Sequence, residues 1–448
     1  MISERDLRDR VAEWKLRDDV VEKDYVLGWV LAGVGSEPVL RDGWVFKGGT
    51  CLKKCYLETF RFSEDLDFTV VEGGLIEEAD VLSHLGRMLE RIGQESGIDF
   101  AVREPRLRVR PNGSIEGRIY YRGPRNAPVP ASVRLDLTRD EELARPPVIR
   151  PIQHLYPDAL SEPGTVRCYS LEELYAEKIR AMGERGRPRD LYDIVFLLDF
   201  PDLAGHGSLV RETLVAKCES KDVPIPTLES LEASTNRGEL VSEWGSMLGH
   251  QLPVLPPFDH YWGRLPELFG WLDGAEPARL EPVTGGAGES VWSPSPAAWS
   301  WGGGVALEPI RFAGANRLCV DLGYQGSVRR IEPYSLRVTR DGNLLLYAIR
   351  RQDRQLRSYR VDRVTSVEVT TEPFRPVSVV EFRPTGPTFA PTMPAHPRRS
   401  ASSSSRYRVR CPYCGKAFDR RRPGTRLNAH KDRAGRRCVG SGRMGERL

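Results

Sequence analysis

Long apolar runs are missing from these 448 residues. No stretch approaches the roughly 18 to 20 uninterrupted apolar residues of a membrane span. The N-terminus, MISERDLRDRVAEWKLRDDVVEKD, is a charged helical pattern without an apolar signal core. The expectation is a cytoplasmic protein with no membrane partner. Cysteine is scarce, eight residues in all, and Cys51, Cys55, Cys168, Cys218 and Cys319 are spread through apolar or mixed surroundings. That excludes the disulfide framework of a small secreted scaffold. No internal repeat recurs at the periods of roughly 20 to 50 residues that mark solenoids. A strong charge of one sign is also lacking, the formal net charge being +4. The small total hides an asymmetry: from Arg398 to Leu448, sixteen Lys and Arg stand against Asp419, Asp432 and Glu446, so this tail carries +13 and the remainder −9. What is present, 40% hydrophobic and 29% charged residues over 50.5 kDa, suits two or three globular domains.

Two stretches rich in Pro, Gly, Ser and Ala interrupt the periodic pattern, Ala275 to Gly304 and Arg383 to Ser405. They divide the chain into a first domain (1–274), a linker (275–305), a middle block (306–382), a second linker (383–405) and a terminal module (406–441). The first domain mixes helical periodicity (residues 5 to 32, 80 to 95, 171 to 184 and 189 to 199) with short strands at Trp44 to Lys47, Leu66 to Val71 and Val133 to Leu137. The fold class is α+β. Between Ala306 and Phe374 short strands alternate with turn signals, which predicts a small barrel or sandwich.

Chemistry concentrates in Phe46-Lys47-Gly48-Gly49-Thr50 and, one short helix later, Arg61-Phe-Ser63-Glu-Asp65-Leu-Asp67-Phe. On a strand, Asp65 and Asp67 share one face while Leu66 and Phe68 face the core. Two carboxylates held so close call for a cation, most simply Mg2+, which binds carboxylates, waters and nucleotide phosphates. Gly48 and Gly49 let the backbone approach a phosphate ahead of a helix N-terminus. Either piece alone reads as a turn or a solvated strand edge; the two at this spacing read as a site. In Val133-Arg-Leu-Asp136-Leu the apolar alternation puts Asp136 on the opposite face, where a neighbouring strand could bring it beside the pair.

Ser170-Leu-Glu-Glu173 is a capping box that opens a helix. Lys178 falls within that helix's apolar stripe, so it needs an anion: an acid, or a triphosphate in a neighbouring cleft. Asp190 and Asp193, one turn apart on the next helix, are either an acidic first turn or part of the same pocket.

In order and spacing, FKGGT, RFSEDLDF, VRLDLT and AEKIRAMGERGRPRDLYDI resemble the successive motifs of the AbiEii/AbiGii nucleotidyltransferase toxins, over roughly residues 15 to 270. The resemblance implies a nucleotidyltransferase-like mixed sheet with helices. It implies NTP binding by Lys47, Gly48, Gly49, Thr50, Ser63 and Lys178, with Mg2+ on Asp65, Asp67 and Asp136. The catalytic set becomes Asp65, Asp67, Asp136, Lys178, Asp190 and Asp193. It further implies an RNA acceptor, tRNA in particular, or a protein hydroxyl, a role in abortive infection and phage defence, and a separately encoded antitoxin. Ser63 also suits a turn cap or a modification target.

The segment from Arg329 to Val369 resembles a WYL domain, a small SH3/Sm-like β-barrel, through Glu332-Pro-Tyr334-Ser-Leu336, Leu345-Leu-Tyr347-Ala and Tyr359-Arg-Val-Asp362-Arg363. Arg329, Arg330, Arg357, Arg360 and Arg363 could form an anion pocket, or simply keep strand edges soluble. In the tail, Cys411-Pro-Tyr-Cys414, His430 and Cys438 make a metal set of three thiolates and one imidazole, with Phe418 and Leu427 as a miniature core. The pattern resembles a C2H2/C2HC zinc finger with longer loops, and Zn2+ would supply its folding energy. Arg420, Arg421, Arg422 and Arg426 around it suit DNA or RNA. Against the transferase stand two alternatives: a nucleic-acid-binding regulator built on a transferase-derived scaffold, and a protein nucleotidyltransferase.

Overall fold

A computed structural model describes residues 1–57, 60–234, 236–275, 280–292, 307–382, 407–420 and 426–447. Met1–Pro391 form one compact unit and Thr392–Leu448 a second. Among the described residues, no helix is long and apolar enough to cross a membrane.

The first unit is organised around a seven-stranded mixed sheet: β1 (Trp44–Lys47), β2 (Asp65–Val70), β3 (Arg106–Val109), β4 (Ile115–Tyr121), β5 (Ala131–Thr138), β6 (Val148–Pro151) and β7 (Thr165–Cys168), in the order β3-β4-β5-β2-β1-β7-β6. β2 runs antiparallel to β1 and parallel to β5, and β1 runs parallel to β7. Phe46, Leu66, Phe68, Val133, Leu135 and Leu137 are all buried, so the central strands put one face into the core and leave the other to the polar residues between them.

The helical pattern expected over 5 to 32 is two helices, Glu4–Trp14 and Asp18–Ser36. The break falls at Lys15, whose backbone is left-handed (φ 53°). The second of these helices is buried over most of its length. It approaches β7 so closely that a Cβ on Gly35 would stand 1.8 Å from the Thr165 carbonyl oxygen. Leu171–Arg185 and Pro188–Leu198 form a helical pair joined at Gly186 (φ 52°). The capping box expected at Ser170 is only half made. The Ser170 hydroxyl accepts from the Glu173 amide (3.2 Å), but the Glu173 carboxylate turns instead to the Ala144 and Arg145 amides and to Lys217. Two backbone donors and a buried ammonium offer it more than one N-cap amide does.

The same unit carries an antiparallel sheet: β8 (Ser290–Val291), β9 (Leu318–Tyr324), β10 (Ser327–Val338), β11 (Leu344–Arg350), β12 (Gln355–Arg360) and β13 (Val364–Pro373). β9 to β12 form a meander, and β13 follows a 3-10 turn at Val361–Arg363 to pair with β9, giving an antiparallel sheet in the order β12-β11-β10-β9-β13. Part of the segment expected as linker is built into this sheet. Val283 is buried, Ser290–Val291 pairs with β10, and the Trp292 amide donates to the Leu336 carbonyl (2.8 Å). The apolar residues inside that Gly/Pro-rich stretch explain the difference. Residues 276–279, 293–306 and 383–406, which include the whole second expected linker and part of the first, lie outside the described residues.

This antiparallel sheet is tied to the first region by the helix Glu308–Ala315 and the residue after it. Asn316 is buried, and its Oδ1 accepts from the Tyr192 and Tyr261 hydroxyls (2.9 and 2.6 Å). Asp199 accepts from both Arg264 and Arg317.

In the second unit, β14 (Tyr407–Arg410) pairs with β15 (Ala417–Arg420) and β16 (Glu446–Arg447) around Val409, Leu427, Cys411 and Cys438, with Phe418 packed alongside. The module reaches beyond the expected boundary at 441 because β16 completes its sheet.

Candidate functional site

The parallel register of β2 and β5 sets Asp67 directly beside Asp136, while antiparallel β1 sets Lys47 beside Asp67. Asp65, two residues up the same strand, joins them on one face. Immediately after β1 the chain turns through Gly48 (φ 80°), where a Cβ would stand 2.4 Å from Asp67 Oδ2, and Gly49, where one would stand 2.6 Å from Arg61 Nη2. Both positions therefore exclude side chains. The Thr50 hydroxyl donates to the Asp65 carbonyl (2.5 Å), tying the start of the helix Gly48–Cys51 to the start of β2.

Burial, and then the neighbouring Asp65, push the Asp67 carboxyl up to about 6, against the pull of Lys47 and Lys178. Asp136 accepts from Arg110 at 2.8 Å and from the Thr138 hydroxyl at 3.3 Å. The acidic face is thus short of positive charge at Asp67.

Lys178 reaches the Asp193 and Asp190 carboxylates at 2.9 and 3.5 Å. Asp190 and Asp193 are 1% and 0% exposed, so both are buried, cation-paired anions and not free acids. Arg61 forks onto Asp193 (2.6 and 2.7 Å) and also donates to Gln251; Arg185 forks onto Asp190 (3.0 and 3.2 Å). Burial opposes the Asp193 charge, but Arg61 and Lys178 outweigh it and hold the carboxyl below its ordinary range. Lys47 lies 3.8 Å from both Glu141 and Glu177. Glu141 also pairs with Lys217 (2.9 Å) and Arg180 (3.2 Å); these cations overcome its burial and bring it down to about 2. Ser63 is buried beside Gly49.

Sequence reasoning missed Arg61, Arg110, Glu141 and Arg189. Arg61 and Arg189 do flank the quoted motifs, but Arg110 enters from the β3–β4 hairpin and nothing local announces it. Arg189 is the most telling, because its Nε is buried with no hydrogen-bond acceptor among the described residues. Its charge is felt by Asp65 and Asp193, so an orphaned guanidinium donor stands near the acidic strand, and a metal-bound phosphate is a group that would satisfy it.

The arginines of the antiparallel sheet do not gather into one fork. Arg330 is taken by Asp321 and Glu372, Arg360 by Asp362, and Arg357 by Asp353 and Gln355. Arg329 donates to the Tyr324 carbonyl and stacks on its ring, and Arg363 is exposed. In the tail, the ligand atoms of Cys411, Cys414, His430 and Cys438 all lie within 4.8 Å of one another. His430 Nδ1 bonds the Asn428 carbonyl (2.9 Å), which leaves Nε2 facing Cys414 Sγ at 3.4 Å, as a metal-binding imidazole requires. Arg426 Nε donates to the Gly442 carbonyl. Arg421, Arg422 and the side chain of Arg420 lie outside the described residues.

A mixed sheet that presents two aspartates on one strand and a third on its parallel neighbour, beside a Gly-Gly turn feeding a helix, defines a nucleotidyltransferase-type site. The family model described as nucleotidyl transferase AbiEii toxin, type IV toxin–antitoxin system, matches residues 29–264, and the chain belongs to that family. The WYL domain model matches residues 305–369. Among solved structures, the chain is similar to MenT4, the nucleotidyltransferase toxin Rv2826c of Mycobacterium tuberculosis H37Rv, at 22% identity over 60% of this chain and 88% of that one, with a TM-score of 0.41. It is also similar to the proteasome accessory factor B/C (PafBC) of Arthrobacter aurescens, at 21% identity over 28% of this chain and 16% of that one, TM-score 0.14. No curated protein matches. The chain is accordingly a nucleotidyltransferase of a toxin family whose systems pair the toxin with an antitoxin.

Proposed function

We propose that the protein transfers a nucleotide from an NTP to an RNA acceptor, a tRNA end in particular, as the toxin of a phage-defence system. The observation that carries this reading is the register of Asp67 with Asp136 beside the side-chain-free turn at Gly48 and Gly49. Asp65, Asp67 and Asp136 would hold divalent ions, Mg2+ in the cell, which when bound supply charge stabilisation and polarise the reacting oxygens. The chain's own groups do the rest. The Gly48–Thr50 backbone takes the triphosphate, and Lys47 and Arg189 balance its charge. Lys178, with three N–H donors and two carboxylates to satisfy, keeps one donor for a phosphate oxygen. Asp190 and Asp193 position Lys178 and Arg61. The tail, as a Zn2+ module on Cys411, Cys414, His430 and Cys438, adds a basic surface suited to RNA or DNA.

The test incubates the full chain with each α-labelled NTP, Mg2+ and total bacterial RNA, beside Asp67→Ala. Label on RNA that disappears in the variant supports the proposal, and label on polypeptide moves the acceptor to protein. No label from folded, zinc-loaded protein favours the reading that the WYL domain supports, a nucleic-acid-binding regulator.

A further inference from the structure

Three cysteines outside the tail converge in the core behind the Gly48–Thr50 turn. Cys51 ends the helix Gly48–Cys51, Cys55 lies in the π-helical segment Leu52–Tyr56, and Cys168 ends β7, in register with Phe46 of β1. Their sulfurs all lie within 4.8 Å of one another, and none of the three residues is more than 1% exposed. Isolated buried cysteines usually serve as small apolar fillers. Here the sulfurs of two chain segments face one another, and they do so where the helix widens from α to π, a distortion that tends to mark functional positions. Three thiolates at metal–sulfur distances of about 2.3 Å stand roughly 4 Å apart, so the cluster needs only a small contraction to close on an ion.

We infer that Cys51, Cys55 and Cys168 form a further metal site, distinct from the aspartate cluster and the tail, for a soft d10 cation bound by three thiolates. The donor set contains sulfur only, which selects zinc or copper(I) over Mg2+, and three-coordination suits copper(I) best. Each sulfur that bonds the ion gives up its proton to water. Arg150 supplies nearby positive charge, its Nε donating to the Cys55 carbonyl (3.3 Å) and its guanidinium stacked on Tyr56 at 4.7 Å. Because Cys51 directly follows Thr50, a bound ion would stiffen the turn that receives the triphosphate. The inference goes beyond the transferase reading and does not depend on it.

The test uses the full chain carrying Cys411→Ser and Cys414→Ser, which removes the tail's zinc. It is produced in medium supplemented with Zn2+, or refolded anaerobically with Cu+, and metal is counted by mass spectrometry. One ion per chain with three sulfur neighbours in X-ray absorption is expected; whichever metal is retained names the ion. A folded chain that holds neither overturns the site, as does an ion retained after adding Cys168→Ala. As a check that needs no core substitution, the same tail variant refolded with increasing Cd2+ should show a thiolate-to-metal charge-transfer band saturating at one equivalent; a flat titration refutes the proposal.

Discussion

Replacing Asp67 by Asn should stabilise the metal-free protein while abolishing transfer. In the folded chain the Asp67 carboxyl titrates at about 6 against an ordinary 3.8, chiefly from burial and then from Asp65. A raised carboxyl means that the native state binds the proton more tightly than the unfolded chain, so stability falls as pH rises from about 4 through 6. Each tenfold difference in proton affinity is worth about 1.4 kcal/mol, which puts the cost of the charged form at about 3 kcal/mol above pH 7. Asn keeps the shape without the charge. Urea unfolding in EDTA at pH 7.5 should therefore show Asp67→Asn more stable than the parent by up to about 3 kcal/mol, and the gap should close near pH 4. Adding Mg2+ should stabilise the parent and leave the variant unmoved. Nucleotide transfer should fall below detection in the variant. If Asp67→Asn unfolds at lower urea than the parent at pH 7.5, the carboxylate is a satisfied structural group and the cation-site argument fails.

Other substitutions separate the buried, cation-paired anions from the working groups. Lys178→Met should lower transfer at least 100-fold yet cost no more than about 2 kcal/mol, because Arg61 and Arg185 still pair with Asp193 and Asp190; Asp193→Ala, which strands two buried cations, should cost about 3 to 5 kcal/mol in the same unfolding assay. Glu141, held down to about 2, contributes stability that is complete above its ordinary 4.5 and is lost as pH falls toward 2, about 3 kcal/mol in all, so the acid limb of the stability–pH curve should flatten in Glu141→Gln. Asn316→Leu leaves the Tyr192 and Tyr261 hydroxyls without their acceptor and should cost about 1 to 3 kcal/mol, measured by thermal unfolding. Chelation of zinc, or Cys438→Ser, should release the amide-exchange protection of the tail alone, leaving β1, β2 and β5 protected.

Local spacing carried much of this protein. A two-residue interval on a strand puts Asp65 and Asp67 on one face whatever surrounds them, and apolar alternation sets Asp136 opposite its own core residues. The helical period likewise placed Lys178 within a buried stripe before any partner was known. The cysteine spacing of the tail marked a metal set because a tetrahedral ion needs a tight turn between two of its ligands.

What spacing could not provide was pairing between distant segments. Only the tertiary structure decided that β2 and β5 are parallel neighbours with Asp67 beside Asp136, since strand register between positions 69 residues apart depends on the packed core and not on either strand. It decided that the anions of Lys178 are Asp190 and Asp193, and it brought in Arg110 from a hairpin that has no motif of its own. It drew Ser290–Val291 out of an expected linker into the antiparallel sheet, and it gathered Cys51, Cys55 and Cys168, scattered in the sequence, to within 4.8 Å. Periodicity specifies which face a residue takes; which face it then meets is fixed by the folded chain as a whole.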